Sequence, residues 1–232
     1  MNSISMKIDD KFRNLKSDYF LKKLFSNLKR KKQLDIIKYN KNMKKRININ
    51  IKDYKEYSEK YSSIEIEIIP KLNESDYFIN IFHQEDKKYF HIYFNDNKEE
   101  IKTNYLKEND KVKKIKIIID HQVKQFDRLF LFCRCIEAIT FKKFKRNNIY
   151  NMAYMFRGCS SLKELNLNDF NTSNVVNMHS MFFECSSLKQ LNLNNFNTNK
   201  VIKMTCMFSG CPDELKEKIK ANYKNIREEA FY

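Results

Sequence analysis

Glycine, proline and tryptophan are scarce in this chain of 232 residues, which contains two glycines, two prolines and no tryptophan. So few glycines exclude the glycine-rich loops with which P-loop and dinucleotide-binding enzymes hold phosphate groups. No apolar run reaches the length of a membrane span, and Met1–Asp10 lacks the apolar segment of a secretory signal. The sequence therefore predicts a cytoplasmic protein.

Patterns typical of metal sites and catalytic sites are also missing. The four histidines form no cluster, and Cys133 and Cys135 are too close together for a usual zinc pair. Glu99 and Glu100 are adjacent, so on a strand they would point to opposite faces and not form an acid/base pair. His179 has no acidic or cysteine partner near it in the sequence. We therefore predict a protein that is not an enzyme and binds no cofactor or metal.

Positive charge is concentrated at the amino terminus. The net charge is +16, and residues 1–48 hold fifteen Lys or Arg against four Asp or Glu. A run such as Lys29–Lys32 admits contact with nucleic acid or anionic lipid, or simply a solvated helix face. In many proteins that bind single-stranded nucleic acid, aromatic and basic residues alternate along the sequence. They do not alternate in this chain. We therefore favour solvated faces over nucleic acid or a membrane.

Local patterns predict helices first and strands afterwards. Residues 15–46 have the apolar spacing of two amphipathic helices, and residues 62–119 contain several stretches that alternate with period two, such as Ile64–Ile68. Asn95–Asn97 has the composition of a turn. Pro212 and the two acidic residues after it indicate the start of a final helix.

The carboxyl-terminal half repeats itself every 26 residues. Copies begin at 129, 155 and 181, and a short stub follows the third. Equivalent positions hold mainly cysteine, leucine and phenylalanine: Cys133, Cys159, Cys185 and Cys211; Leu162, Leu165 and Leu167; Leu188, Leu191 and Leu193; Phe170 and Phe196. One copy cannot bury these side chains alone, so the copies are predicted to stack and form a structural core.

The repeated unit, M-F-x-x-C-S-S-L-K-x-L-N-L-N-x-F-N-T-x-x-V-x-x-M, resembles the BspA-like leucine-rich repeats of bacterial and protist proteins over residues 129–211. The resemblance implies a binding or adhesion protein without enzymatic activity. Surface members of that family carry export signals, so a surface location of this chain would require unconventional export. We expect Phe170 and Phe196 to stack, Asn-Thr pairs to bind the turn backbone, and asparagine to replace glycine where φ is positive.

Residues 15–46 resemble an F-box, a motif with a short helix of the L-x-x-L-F-S-x-L type and a second apolar helix. The matching residues include Leu15, Leu24, Phe25, Leu28 and Ile37. This resemblance implies a substrate adaptor that binds the linker subunit of a cullin-type ubiquitin ligase through Leu24, Phe25 and Leu28.

The predicted fold class is α+β, in four segments: a basic helical module (1–50), a small antiparallel β-region (51–126), a leucine-rich-repeat solenoid (127–211) and a capping helix (212–232). The predicted function is protein–protein interaction, with an unidentified partner bound on the solenoid surface. A ubiquitin-ligase adaptor, a surface adhesion protein and a binder of nucleic acid or anionic membrane are the alternatives.

Overall fold

A computed structural model describes residues 17–37, 41–48 and 50–232 of the chain. Its contacts divide the chain into two compact units, Met1–Ser58 and Glu59–Tyr232, which are described separately. The predictions that concern Met1–Asp10 and Leu15 lie outside the described residues, as does the side chain of Ile37. Within the described ranges, no helix is long and apolar enough to cross a membrane.

Short helices make up the described part of the first unit. They are α1 (Asp18–Ser26), α2 (Arg30–Ile37), α3 (Lys41–Arg46) and α4 (Ile51–Tyr61), the last of which runs on into the second unit. A small apolar cluster lies among them, formed by Leu21, Phe25, Leu34, Ile36 and Met43. Helix α4 lies where the sequence suggested a β-region, because Asn50 and Asp53 accept hydrogen bonds from each other's backbone amides and cap its first turn.

A five-stranded mixed sheet is the centre of the second unit. Its strands are β1 (Ile64–Pro70), β3 (Phe90–Phe94), β5 (Ile115–Ile119), β6 (Ile136–Lys143) and β7 (Glu164–Asn166), in the order β3-β5-β1-β6-β7. The first four pair antiparallel, whereas β6 and β7 pair parallel. A separate ribbon joins β2 (Asp76–Tyr77) to β4 (Tyr105–Leu106).

Alternation of isoleucine explains the register of the central strands. Ile64 and Ile66 of β1 lie opposite Ile119 and Ile117 of β5, and all four side chains are buried. A shift of one residue would turn these side chains to the other face, so burial of this one face fixes the pairing. The turn predicted at Asn95–Asn97 is present, with positive φ at its first two residues.

Repeated turns, and few strands, make up the rest of the second unit. The amide of each turn donates to a carbonyl 25 residues further on, as Phe130 does to Met155 (2.8 Å) and Phe156 to Met181 (2.9 Å). One phenylalanine column stacks with ring centroids 5.4 to 5.5 Å apart: Phe130, Phe156, Phe182 and Phe208. We call these stacked turns, from Gln125 to Cys211, the tiers.

Segments without the repeat close both ends of the tiers. At one end, the amide of Asn80 donates to the carbonyl of Leu129 (2.7 Å). At the other, the amide of Phe208 donates to Ala230 (2.7 Å), and Phe231 stacks on Phe208 at 5.5 Å. The final helix α5 (Asp213–Asn222) precedes this closing segment.

A buried arginine joins the sheet to the tiers. The side chain of Arg146 is fully buried and donates to the carbonyls of Asp120 (3.0 Å) and Val123 and to Oδ1 of Asn148 (3.0 Å). Burial lowers the pKa of Arg146 to about 10, so the guanidinium remains charged at neutral pH. These bonds fix the end of β5 against the chain that enters the first tier.

The predicted fold class is wrong, because the tiers are not a leucine-rich-repeat solenoid that follows a separate antiparallel sheet. Strand β6 of the first copy pairs antiparallel with β1, so the repeats contribute strands to the same mixed sheet. Within the repeats, the first copy forms strand β6 and the second forms strand β7. Residues 190–192, at the equivalent positions of the third copy, form no strand. No solenoid was found in the described part of the chain.

Candidate recognition surface

The residues predicted as the structural core of the repeat lie inside the second unit. Each is at most 8% exposed: Leu162, Leu165, Leu167, Phe170, Leu188, Leu191, Leu193, Phe196, Cys133, Cys159, Cys185 and Cys211. Phe170 stacks on Phe196 with ring centroids 5.8 Å apart, which confirms that prediction. Asn171 and Asn197 each accept a backbone amide two residues on, also as predicted.

The cysteine column forms hydrogen bonds as well as apolar contacts. The thiols of Cys159, Cys185 and Cys211 each donate to the carbonyl of the stacked phenylalanine one tier earlier, at 3.0 Å. Burial raises the pKa of Cys159 and Cys185 well above the usual value, and raises that of Cys211 to about 12. These thiols therefore stay protonated at neutral pH and are poor nucleophiles.

Asparagine does not replace glycine at the positive-φ positions of the tiers, so that prediction is wrong. Two columns have positive φ: Arg128, Tyr154, Ser180 and Cys206 in one, and Phe132, Gly158, Glu184 and Gly210 in the other. In the second column large and small residues alternate, and a Cβ on Gly158 would lie 2.2 Å from Cδ1 of Phe132. The glycine is needed because the Phe132 ring occupies that space.

The residues that suggested an F-box have different environments. Phe25 is buried in the helical cluster and Leu28 packs against it partly buried, whereas Leu24 is 45% exposed. Phe25 therefore serves the internal packing of the helices. The spacing of these three residues is that of an ordinary amphipathic helix.

Arginine and aromatic side chains form a row across successive tiers, in which Phe82 and Arg128 are exposed and the other three residues are partly exposed. Arg128 lies 5.9 Å from the ring centroid of Phe82 and 5.2 Å from that of Tyr154. Arg157 lies 5.5 Å from Tyr154 and 4.4 Å from Phe183. We call these five residues the arginine–aromatic stripe. Its members are held in place by mutual cation–π contacts, which gives a rigid and positively charged surface.

Three further contacts order the edge of the stripe. The ring of His179 meets that of Tyr154 edge to face at 5.0 Å, and its Nδ1 lies 2.9 Å from Oγ1 of Thr205. Arg128 also pairs with Asp127 at 3.1 Å. His179 therefore packs within the row and has no carboxylate or thiol against it among the described residues.

Sequence reasoning missed the stripe because its neighbours are far apart along the chain. Arg128 and Tyr154 are 26 residues apart and occupy equivalent positions of adjacent tiers, and so do Arg157 and Phe183. Aromatic and basic residues therefore alternate between tiers and not along the sequence. Aligning the variable positions at the 26-residue offset, as well as the repeated ones, would have revealed the alternation.

A second surface lies on the strand side of the tiers. It is a groove of about 770 Å³ between β7 and residues 189–192, with a floor that includes Leu165 and Leu191. Its polar lining includes Lys163, Glu164, Asn166, Asn168, Gln190 and Asn192, and Tyr223 lies at its edge. We call it the amide groove, since amide side chains are its commonest polar groups.

No metal-binding cluster is present among the described residues. No group of three or more His, Cys, Asp or Glu side chains could hold a metal ion there. His91 lies between Glu100 (Nδ1–Oε1 3.4 Å) and Asp120 (Nε2–Oδ2 3.5 Å), and Glu99 is exposed. Hydrogen bonds from Lys102 and His91 hold the pKa of Glu100 below its usual value. The cluster links strand β3 to the segments on either side of it.

Comparison with known proteins gives a match to the repeat-bearing part of the chain. Residues 124–229 match the model of a family described as "Mycoplasma protein of unknown function, DUF285". No curated protein and no solved structure matches the chain. The match covers the tiers, the amide groove and every residue of the stripe except Phe82, and it ends just before Ala230 and Phe231 of the closing segment.

The two family resemblances drawn from the sequence are therefore wrong. Neither a BspA-like leucine-rich repeat nor an F-box was found, and the repeats match the DUF285 model instead. The L-x-x-L-x-L spacing suggested the wrong family because it reflects only which side chains are buried. Stacked turns of more than one type bury leucine at that spacing. The proposed cullin linker partner depended on the F-box resemblance and is withdrawn with it.

Proposed function

We propose that this chain is a non-enzymatic protein-recognition module that binds its partner through the arginine–aromatic stripe. The observation that supports the proposal is a row of exposed and partly exposed arginine, tyrosine and phenylalanine side chains on a regular backbone ladder. These residue types dominate the binding energy of protein–protein interfaces. A rigid surface also loses little conformational entropy when it binds.

The amide groove is a second surface that fits the same function. Amide side chains both donate and accept hydrogen bonds, so a row of them can pair with the backbone of an extended peptide. The proposal keeps the cytoplasmic location predicted from the sequence. All six cysteines are free, which suits a reducing compartment.

Site-specific photo-crosslinking in the native host tests the proposal. A photoreactive phenylalanine analogue replaces Phe82 in the stripe (55% exposed) and, as the matched control, Leu72 outside it (58% exposed). We expect a discrete protein adduct from position 82 that is absent from position 72, and that weakens when Arg157→Gln is added. No adduct at position 82, or equal adducts at both positions, would show that the stripe is not the binding surface.

A further inference from the structure

Arg157 lies between Tyr154 and Phe183 in the stripe and has no counterion among the described residues. Of the five arginines in residues 59–232, Arg128 and Arg227 pair with carboxylates, Arg146 binds carbonyls, and the guanidinium of Arg134 lies over the ring of Phe132 at 5.8 Å, outside the stripe. The side chain of Arg157 has no hydrogen bond and no ion pair among the described residues, and its Nε is enclosed without a partner. Glu184, next to Phe183 in the sequence, makes no ion pair with it.

Stacking holds this guanidinium in one orientation before any partner binds. Its centre lies 4.4 Å from the ring centroid of Phe183 and 5.5 Å from that of Tyr154. A guanidinium fixed in this way loses little rotamer entropy when it binds, and its planar donors match the two oxygens of a carboxylate. An unpaired and ordered arginine is therefore ready to bind an anionic group.

The rings of the stripe favour a carboxylate over a nucleic-acid base. Base stacking needs a free aromatic face. Two guanidinium groups and the His179 ring already contact Tyr154, and Arg157 covers Phe183. What such rings still offer a partner is their rim, which carries the positive part of the aromatic quadrupole and attracts negative oxygen. The net charge of +16 attracts an anionic partner of either kind at long range and does not distinguish between them.

We propose that the partner of the stripe presents an acidic segment, and that Arg157 binds one of its carboxylates through both oxygens. This inference rests on the proposed protein-recognition function and specifies the chemistry of the partner. The bond supplies a missing acceptor to a partly enclosed guanidinium, so it contributes more than an exposed ion pair would.

Fluorescence anisotropy with the full chain tests the inference. The probes are a labelled peptide of alternating Glu and Ser, the same peptide with Gln for Glu, and an oligothymidylate of equal charge. We expect the Glu peptide to bind best. Arg157→Gln should weaken it about tenfold, and Arg157→Lys should weaken it less, since the charge remains but the planar fork is lost. Lys98→Gln, which removes an equal charge from an exposed turn, should change binding less than about twofold.

Three results would overturn the inference. Equal losses of affinity for the Glu peptide in Arg157→Gln and Lys98→Gln would show that the peptide is attracted only by net charge. Tighter, Arg157-dependent binding of oligothymidylate would show a nucleic-acid surface. No binding of the Glu peptide, together with a protein adduct at position 82, would refute the acidic partner and leave the protein-recognition function standing. Thermal unfolding of each variant shows whether it is folded, and Arg157→Lys provides the test if Arg157→Gln is not.

Discussion

At the scale of single residues, the contact between Gly158 and Phe132 decides how the second turn is built. The φ of Gly158 is +72°, and the Phe132 ring fills the place where a Cβ would be. Any other residue at position 158 would therefore be strained in its backbone and would also collide with the ring.

We predict that Gly158→Ala lowers the free energy of unfolding by roughly 2 to 3 kcal/mol, from the cost of positive φ and the displaced ring. In a Phe132→Ala background only the backbone cost of about 1 kcal/mol should remain. Urea unfolding of the four proteins in this double-mutant cycle measures the difference. Equal costs in both backgrounds would mean that the Phe132 ring does not constrain position 158.

The buried thiols make stability depend on alkaline pH. Burial raises the folded-state pKa of Cys135 and Cys211 to about 12, whereas an unfolded thiol titrates near about 8.5. The folded state therefore binds the proton more tightly. The resulting stability is fully present below about pH 8.5 and is lost as pH rises towards 12.

We predict that the cost of Cys211→Ala shrinks as pH rises from about 8 to about 10, because the wild-type protein loses its thiol contribution over that range. Val201→Ala, which truncates a buried side chain that cannot titrate, is the control. Its cost should stay constant. Urea unfolding at both pH values provides the measurement, and a pH-independent cost of Cys211→Ala would contradict the prediction.

At the scale of structural elements, the closing segment at the carboxyl terminus replaces a further copy of the repeat. It supplies a backbone acceptor to Phe208 and a ring, Phe231, that continues the phenylalanine column. The last full turn would otherwise expose both its amides and its aromatic face. The closing segment is therefore part of the core, although its sequence does not follow the repeat.

We predict that Phe231→Ala lowers the free energy of unfolding by about 3 kcal/mol, because it opens a cavity over Phe208. The neighbouring Tyr232→Ala is the matched control, since Tyr232 is 71% exposed, and it should cost less than about 1 kcal/mol. Chemical unfolding compares the two variants. Similar costs would indicate that the column does not depend on its last ring.

The elements differ in how well their sequences predict them. Strands β1 and β5 and helix α5 follow from local patterns, because alternation or capping residues specify each of them. The pairing of β6 with β1 did not follow, since it joins residues about 70 apart and a local pattern carries no information on partners. The stripe was not predicted for a related reason. Its contacts depend on which residues meet across tiers, whereas the core positions could be predicted because they recur in every copy.

At the scale of the whole molecule, the division between the units falls inside helix α4. The carboxyl-terminal end of that helix belongs to the second unit, where the carbonyl of Glu59 accepts from the amide of Asn147 (2.7 Å) and its carboxylate accepts from Nδ2 of Asn147 (3.0 Å). A fragment that keeps the helix and its cap must therefore begin at Asn50.

We predict that the fragment 50–232 folds alone and binds the Glu peptide with an affinity within about threefold of the full chain, because it contains the sheet, the tiers and the stripe. Circular dichroism and thermal unfolding measure the folding of the fragment, and fluorescence anisotropy measures its affinity for the Glu peptide. A fragment that is folded but binds much more weakly would show that the basic helices share in recognition.

The backbone ladder between tiers has a consequence for how such chains can change. Neighbouring copies offer each other the same ring, thiol and turn carbonyls, although the strands beside these turns differ from copy to copy. An in-frame tandem duplication of one copy would therefore meet surfaces that already fit it, and the two ends would be unaltered. Descendants of this gene are free to vary in length by whole copies, and each added copy would bring two new variable positions into the row of the stripe.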